Sequence, residues 1–186
     1  MLQRPETGSV RLPMHQLLLL RHAKSSWDGT KLADRDRPLT ERGWRAAAVM
    51  RQAMHDLGLA PDLVLVSPAR RTLQTLDALE PWDDTPLLEE IDALYLASPT
   101  QLLGTLHGVA ETVRSVLLIG HNPGMHDLAQ MLIAGTAPSD AGRRLAGGYP
   151  TGALAEFAVA GPWGRLGSGG ARLTRFLTPK ELERSG

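Results

Sequence analysis

Three short apolar runs in the chain each end in side chains that can handle a phosphoryl group. Residues 17–20 are followed by Arg21 and His22, residues 63–66 by a segment that contains Arg70 and Arg71, and residues 116–119 by Gly120 and His121. Such runs are typical of parallel strands buried on both faces, and ligands bind beyond the carboxyl ends of such strands. We therefore expect two imidazoles and at least one guanidinium at one sheet edge. Because guanidinium forks bind phosphoryl oxygens and no cysteine or Ser-x-Gly elbow competes, histidine is predicted as the nucleophile.

Length and composition narrow the class of protein. At 186 residues the chain is expected to form one domain over 14–178, with a flexible lead at 1–13 and a polar tail at 179–186. Twenty basic residues balance twenty acidic ones, so the overall charge does not favour nucleic acid as a partner. The chain has no cysteine, which excludes disulfides and thiolate metal sites. No apolar segment is long enough to suggest a signal peptide or a membrane span, and we expect a cytoplasmic protein.

The remaining sequence alternates strand and helix patterns, which is typical of a layered α/β domain. Capping residues predict four helix starts, at Thr40, at Ser67 before Pro68, at Ser98 before Pro99, and at Asn122 before Pro123. Two further strands are predicted at 153–159 and 171–176. The Gly-, Ala- and Pro-rich segment that follows Ala134 is expected to be a mobile loop.

Four motifs occur in a fixed order along the chain. They are Arg21-His22-Ala23, Arg37-Pro38-Leu39-Thr40-Glu41-Arg42-Gly43, Ser67-Pro68-Ala69-Arg70-Arg71-Thr72-Leu73-Gln74-Thr75, and Gly120-His121-Asn122-Pro123. In this order they resemble the histidine phosphatase superfamily, which has the phosphoglycerate mutase-like fold, and above all its short SixA-type phosphohistidine phosphatases. The resemblance covers about residues 16–159. It implies a mixed, mostly parallel central sheet flanked by helices, a histidine nucleophile, no metal and no cofactor.

The resemblance also assigns site residues. It implies His22 as the nucleophile, Arg21 and Arg71 as phosphate-binding arginines, and His121, in its protonated form, as a further donor. Arg70 comes one position too early in the Ser-Pro-x-x-Arg motif and is expected to face solvent. Further candidates for binding substrate are Arg37, Ser25 and Asn122. Arg37 lies in the run Asp34-Arg35-Asp36-Arg37, which by default is a solvated ion-pair loop.

The sequence offers several candidates for a general acid. Longer members of the family carry a glutamate in a lid, but only residues 80–91 occupy that place here, which predicts a short version without a lid. Asp92 matches the acid-x-x-Tyr spacing with Tyr95, and Glu89 and Glu90 are adjacent alternatives.

Two simpler interpretations compete with a catalytic site. An Arg-His pair after a strand can simply be the polar end of that strand without a catalytic role, although the other motifs argue against this. The imidazoles could also ligate a metal, but two flanking arginines repel a cation and no carboxylate completes a ligand set.

The sequence therefore predicts a metal-independent phosphatase that works through a phosphohistidine enzyme intermediate, acting on phosphohistidine of a protein. The alternatives are a small-molecule phosphomonoesterase, for sugar or nucleotide phosphates, and a catalytically weak module that binds a phosphorylated ligand. An expelled imidazole has a conjugate acid with a pKa of about 6.5 and needs little help from an acid, whereas an expelled alkoxide needs one. Without a lid, we expect a preference for P–N over alkyl P–O bonds. Oligomeric state and regulatory partner are left open.

Overall fold

The computed structural model describes residues 14–27 and 32–185. The lead predicted at 1–13 lies outside these residues. The strands are β1 (His15–Arg21), β2 (Leu63–Val66), β3 (Leu87–Glu90), β4 (Ser115–Gly120), β5 (Leu154–Val159) and β6 (Ala171–Leu177). The helices are α1 (Glu41–Asp56), α2 (Arg70–Asp77), α3 (Pro99–His107), α4 (Gly124–Leu132), α5 (Asp140–Ala146) and α6 (Pro179–Ser185).

The strands form one mixed sheet in the order β3-β2-β4-β1-β5-β6. The pairs β2–β3, β2–β4 and β1–β4 are parallel, whereas β5 pairs antiparallel with both β1 and β6. The predicted fold class, a mixed and mostly parallel sheet flanked by helices, is therefore confirmed.

The apolar runs are continuous because each strand is buried on both faces. Alternate residues enter different cores, since Leu17 and Leu19 pack in one hydrophobic cluster while Leu18 and Leu20 pack in another. The three predicted runs are central strands β1, β2 and β4, whose carboxyl ends lie level, with Arg21 opposite Gly120 and Val66 opposite Ile119. The residues that follow these strands therefore share one edge, as expected.

Two of the four predicted helix starts are confirmed. The Thr40 hydroxyl accepts a hydrogen bond from Gly43 N at 3.0 Å at the start of α1. Ser98 and Gln101 form a reciprocal capping box at the start of α3, with Pro99 in its first turn.

The other two predicted caps are wrong. Helix α2 begins at Arg70 after an Ala69 cap, and α4 begins at Gly124 after Pro123, without a side-chain cap in either case. The Ser67 hydroxyl instead bonds to the His121 ring, and the Asn122 amide donates to Tyr149 O. Both side chains are used at the sheet edge rather than at a helix end.

Three elements were not predicted. Strand β3 lies within the 80–91 stretch, and all four of its residues are exposed, so no burial pattern marks it. Helix α5 occupies part of the segment expected to be a mobile loop, with a Ser139 cap and a buried Leu145. Helix α6 occupies the segment expected to be a polar tail, where Leu182 packs against a core cluster. All three elements escaped prediction for the same reason. Each is seven residues or shorter and has little apolar periodicity.

Candidate active site

A cleft of about 340 Å³ opens at the carboxyl edge of the sheet. It is lined by seven of the eight candidate site residues, namely Arg21, His22, Ser25, Arg37, Arg71, His121 and Asn122. Five further residues line it without having been predicted, namely Lys24, Trp27, Asp34, Leu96 and Thr151. The topology thus brings together side chains from β1, α2, β4 and the loops between them.

His22 is fixed in one tautomer at the floor of this cleft. Its ring is 8% exposed, and Nδ1 lies 2.8 Å from Ala23 O. Because a carbonyl can only accept, Nδ1 carries the proton and Nε2 keeps its lone pair. Burial, helped by the charges of Arg71 and Arg21, lowers the pKa of His22 to about 4, although the Ala23 bond opposes this. The ring is therefore neutral at pH 7 and can act as a nucleophile through Nε2.

The backbone around His22 is held from three directions. His22 N donates to Gly120 O at 3.1 Å, and Gly152 N donates to His22 O at 3.1 Å. Ala23 N donates to the Thr75 hydroxyl at 3.0 Å, and that hydroxyl donates to Arg71 O at 2.6 Å. A single threonine of α2 thus connects the loop that follows His22 to the helix that carries Arg71.

The two predicted phosphate-binding arginines are held by backbone carbonyls. Arg21 Nη1 donates to Tyr149 O at 2.8 Å. Arg71 is almost fully buried and donates from Nη1 to Asp34 O at 2.6 Å and from Nη2 to Asp34 Oδ2 at 3.0 Å. Burial, together with the Arg71 charge, lowers the pKa of Arg21. Arg70 lies exposed, so Arg71 is the arginine of this motif that faces the cleft.

His121 differs from its predicted protonated form. Its ring centroid lies 5.3 Å from that of His22, and Ser67 Oγ lies 2.7 Å from its Nε2. Burial, the neighbouring His22 and Arg71 together lower the pKa of His121 to about 3, despite the opposing charge of Asp34. The ring is therefore neutral in the free protein. When the Ser67 hydroxyl donates to Nε2, Nδ1 carries the proton, and this buried N–H has no hydrogen-bond partner among the described residues.

Asp34 is the main site residue that the sequence analysis missed. Its Oδ2 accepts from the Tyr95 hydroxyl at 2.6 Å and from Arg71, and its Oδ1 accepts from Arg37 Nη1 at 2.8 Å. The Tyr95 bond, followed by those of Arg37 and Arg71, keeps the pKa of Asp34 well below its usual range against a desolvation effect that raises it. The carboxylate is therefore ionised. The only local signal was the ion-pair run in which it lies.

Arg37 organises the loop instead of standing free in the cleft. It donates from Nε to Ser26 O at 2.7 Å and from Nη2 to Ser25 Oγ at 3.0 Å, in addition to its bond with Asp34. Its guanidinium carbon lies 3.5 Å from the centroid of the Trp27 ring. The Ser25 hydroxyl accepts this bond, so its own proton is still available for donation.

Comparisons with known proteins identify the family and support the fold. Residues 17–98 match the model of the histidine phosphatase superfamily, branch 1. A structure of a Nakamurella multipartitia protein assigned as a SixA phosphohistidine phosphatase superposes with a TM-score of 0.78 at 30% identity, covering 89% of this chain and 96% of that one. An Agrobacterium tumefaciens protein with the same assignment gives 0.74 at 31% identity, with 89% and 98% covered. The chain belongs to the histidine phosphatase superfamily.

Within the superfamily the chain is of the SixA type, and it is a phosphatase. An uncharacterized protein of Mycobacterium tuberculosis is 36% identical over 164 residues, which cover 87% of this chain and all of that protein. The likeness therefore extends well past the matched family segment, into the half of the chain that carries His121.

The candidate general acids of this histidine phosphatase lie outside the cleft. The Asp92 side chain is 84% exposed and pairs with Arg35 at 2.8 Å. Glu89 and Glu90 lie on the exposed strand β3. The assignment of Asp92 as a catalytic residue is corrected accordingly, because the short turn that follows β3 points its acid at Arg35 while Tyr95, three residues later, reaches Asp34.

Asn122 and Arg21 share a hydrogen-bond acceptor. Its amide donates to Tyr149 O at 3.0 Å, which is the carbonyl that also accepts from Arg21. Its buried Oδ1 has no hydrogen-bond partner among the described residues.

Neither a metal centre nor a membrane span emerges from residues 14–27 and 32–185. In this part of the chain, no group of three or more His, Asp or Glu side chains is arranged to hold a metal ion. None of its helices combines the length and the apolar character needed to span a bilayer.

Proposed function

We propose that this phosphatase removes phosphoryl groups from phosphohistidine on proteins through a covalent intermediate on Nε2 of His22. The fixed tautomer supports the role of His22, since its free lone pair belongs to Nε2 and the ring is neutral at physiological pH. Arg21 and Arg71 lie in the same cleft, and each keeps guanidinium donors beyond those bound to carbonyl or carboxylate oxygens.

The reaction then has two steps. His22 Nε2 attacks phosphorus in line with the P–N bond, whose electrons remain with the departing imidazole. Charge on the equatorial oxygens of the loose transition state is stabilised by Arg21, Arg71 and the His121 N–H. Water next attacks the phosphorylated His22, which releases inorganic phosphate and restores the free imidazole.

The observation that carries the proposal is the lack of a protonated acid among the described residues of the cleft. Asp34 is the sole carboxylate that lines it, and Tyr95 and two arginines hold it ionised. Asp92 lies outside. An alkoxide would therefore leave without a proton, whereas an imidazole leaves readily, because its conjugate acid has a pKa of about 6.5.

The rim of the cleft also supports a protein substrate. Trp27 is 78% exposed and Leu96 is 54% exposed, and both line the opening. Exposed large apolar side chains beside a site are typical of surfaces that bind other proteins.

The test compares kcat/KM on a protein that carries phosphohistidine, on an aryl phosphate and on a sugar phosphate. We expect the phosphohistidine protein to be the best substrate and the sugar phosphate the worst. Rapid quenching should trap label on His22, as an acid-labile and base-stable phosphoramidate. His22→Ala should lower turnover by several orders of magnitude with the fold intact.

Two results would refute the proposal. One is preference for the sugar phosphate, which would favour a small-molecule phosphomonoesterase. The other is a His22→Ala variant that keeps more than about a tenth of the wild-type rate, which would exclude covalent catalysis by this residue.

A further inference from the structure

Asp34 has an unused acceptor position that faces the cleft region. A carboxylate offers about four acceptor positions, and the bonds from Tyr95, Arg71 and Arg37 take three of them. Oδ2 accepts two of these bonds and Oδ1 accepts one. The side chain is 41% exposed and lines both the main cleft and an adjoining pocket of about 200 Å³ beside Trp27. Oδ1 can therefore take one more hydrogen bond from a ligand.

A fixed carboxylate is unusual in a cleft that binds a phosphoryl dianion. It repels the dianion, and it neutralises part of the positive charge of Arg71 and Arg37. This electrostatic cost applies to every phosphorylated substrate. It is offset only by a substrate that presents a cation or an N–H donor next to the phosphoryl group.

Phosphohistidine is such a substrate. When the ring nitrogen that does not carry phosphorus is protonated, the phosphorylated ring is a cation with one N–H, and it departs as neutral imidazole. A phenyl or alkyl phosphate has neither the positive charge nor the donor beside its phosphoryl group. A carboxylate at this position therefore attracts one leaving group and repels the others, which is how electrostatic complementarity produces specificity.

We propose that Asp34 is a specificity-determining residue, whose carboxylate accepts a hydrogen bond from the ring N–H of the phosphohistidine leaving group. This inference rests on the proposed function. Attack by His22 Nε2 breaks the P–N bond, and the electron pair of that bond neutralises the departing ring. The N–H proton stays on that ring and no proton is transferred, while the positive charge passes to phosphorylated His22.

The experiment measures kcat/KM of Asp34→Asn on a phosphohistidine peptide and on p-nitrophenyl phosphate. Asparagine keeps the shape but removes the charge. The ratio of the two kcat/KM values should fall at least about tenfold relative to wild type, the size expected for one charge-assisted hydrogen bond. Because both substrates are assayed on one preparation, loss of folded enzyme cancels from the ratio. Asp34→Ser provides a second variant without the charge.

Asp36→Asn is the matched control, because Asp36 lies two residues away, is exposed and does not line the cleft. Its ratio should equal that of wild type. If Asp34→Asn lowers both activities equally, Asp34 only positions Arg71 and Arg37, and the inference is overturned. If wild type turns over the phosphohistidine peptide and labels His22 while the ratio in Asp34→Asn is unchanged, the proposed function stands without this inference. If the wild-type protein does not hydrolyse the phosphohistidine peptide, both the proposed function and the inference about Asp34 are refuted.

Discussion

Replacing Gly43 by alanine should damage both stability and catalysis, although alanine is the better helix former. Gly43 lies in the first turn of α1 against the loop that follows His22. A methyl group on it would sit 2.1 Å from Lys24 O and 3.0 Å from Lys24 C. Ordinary contact distances are about 3.5–4.0 Å, so the loop or the helix must move by more than about 1 Å. The same carbonyl accepts from Thr40 N at 2.9 Å and from the Thr40 hydroxyl at 3.1 Å.

The expected magnitude follows from these contacts. Overpacking costs about 1–3 kcal/mol, and weakening the Thr40 bonds adds about 1 kcal/mol. The higher helix propensity of alanine than of glycine offsets about 0.5–1 kcal/mol of this loss. We therefore expect a net loss of about 1–3 kcal/mol in the free energy of unfolding. Because Lys24 is two residues from His22, displacement of the loop by about 1 Å should lower kcat about 100-fold.

Gly104→Ala is the matched control for this prediction. Gly104 lies in the middle of α3, is exposed, and has no atom within 4 Å of an added methyl group. This variant should gain about 0.5–1 kcal/mol and keep full activity. Urea unfolding and kcat/KM on an aryl phosphate measure both effects. A Gly43→Ala protein as stable and active as wild type would show that the close approach to Lys24 O does not constrain the loop.

Three further predictions concern charge at the site. Arg71→Lys should lower kcat/KM on an aryl phosphate by at least about tenfold, since an ammonium cannot replace a planar two-donor contact. Substitution of the exposed Arg70 by lysine should leave kcat/KM near the wild-type value. If Arg70→Lys were the more damaging variant, Arg70 rather than Arg71 would be the arginine that acts in the cleft. The pKa of His22 falls from about 6.5 in the unfolded chain to about 4 when folded, so this group stabilises the fold above pH 6.5 and loses that contribution as pH falls toward 4. When the pH falls from 7 to 5, the free energy of unfolding measured in urea should therefore decrease by roughly 2 kcal/mol less in His22→Asn than in wild type. Equal decreases in the two proteins would contradict a buried neutral ring. Asp92→Asn should change kcat/KM less than about twofold on every substrate, because a surface ion pair with Arg35 contributes little to stability. A selective loss of activity on sugar phosphates would instead identify Asp92 as the general acid.

The position of His22, the proposed nucleophile, was predictable because it depends on one strong signal. A continuous apolar run has few interpretations other than a strand buried on both faces, and the residue after the run must then lie at the sheet edge. His22 and His121 follow β1 and β4 directly, and these strands are adjacent and parallel. No tertiary information beyond strand order was needed to bring the two rings together.

The partners of Arg71 could not be predicted in the same way. Asp34 and Tyr95 meet across 61 residues, and Asp34 and Arg71 across 37. Neither element that carries them has a periodic pattern, since Asp34 lies in a three-residue 3₁₀ turn and Tyr95 directly follows another. In the sequence, Asp34 is one of four alternating charges. Only the packing of this turn over α2 distinguishes it from Asp36, which faces solvent.

The two failed helix caps show why local signals mislead at a site. Ser67 and Asn122 each precede proline after a buried strand, so local propensity favours both as capping residues. The Ser67 hydroxyl instead lies 2.7 Å from Nε2 of His121, and Ala69 precedes α2 without a side-chain cap. Helix α2 begins at Arg70, two residues after the predicted first position at Pro68. With that start Arg71 is buried in the cleft and Arg70 is exposed. One turn thus supplies the site with two features that local propensity does not predict, the Ser67 hydroxyl that contacts His121 and the buried Arg71 that lines the cleft.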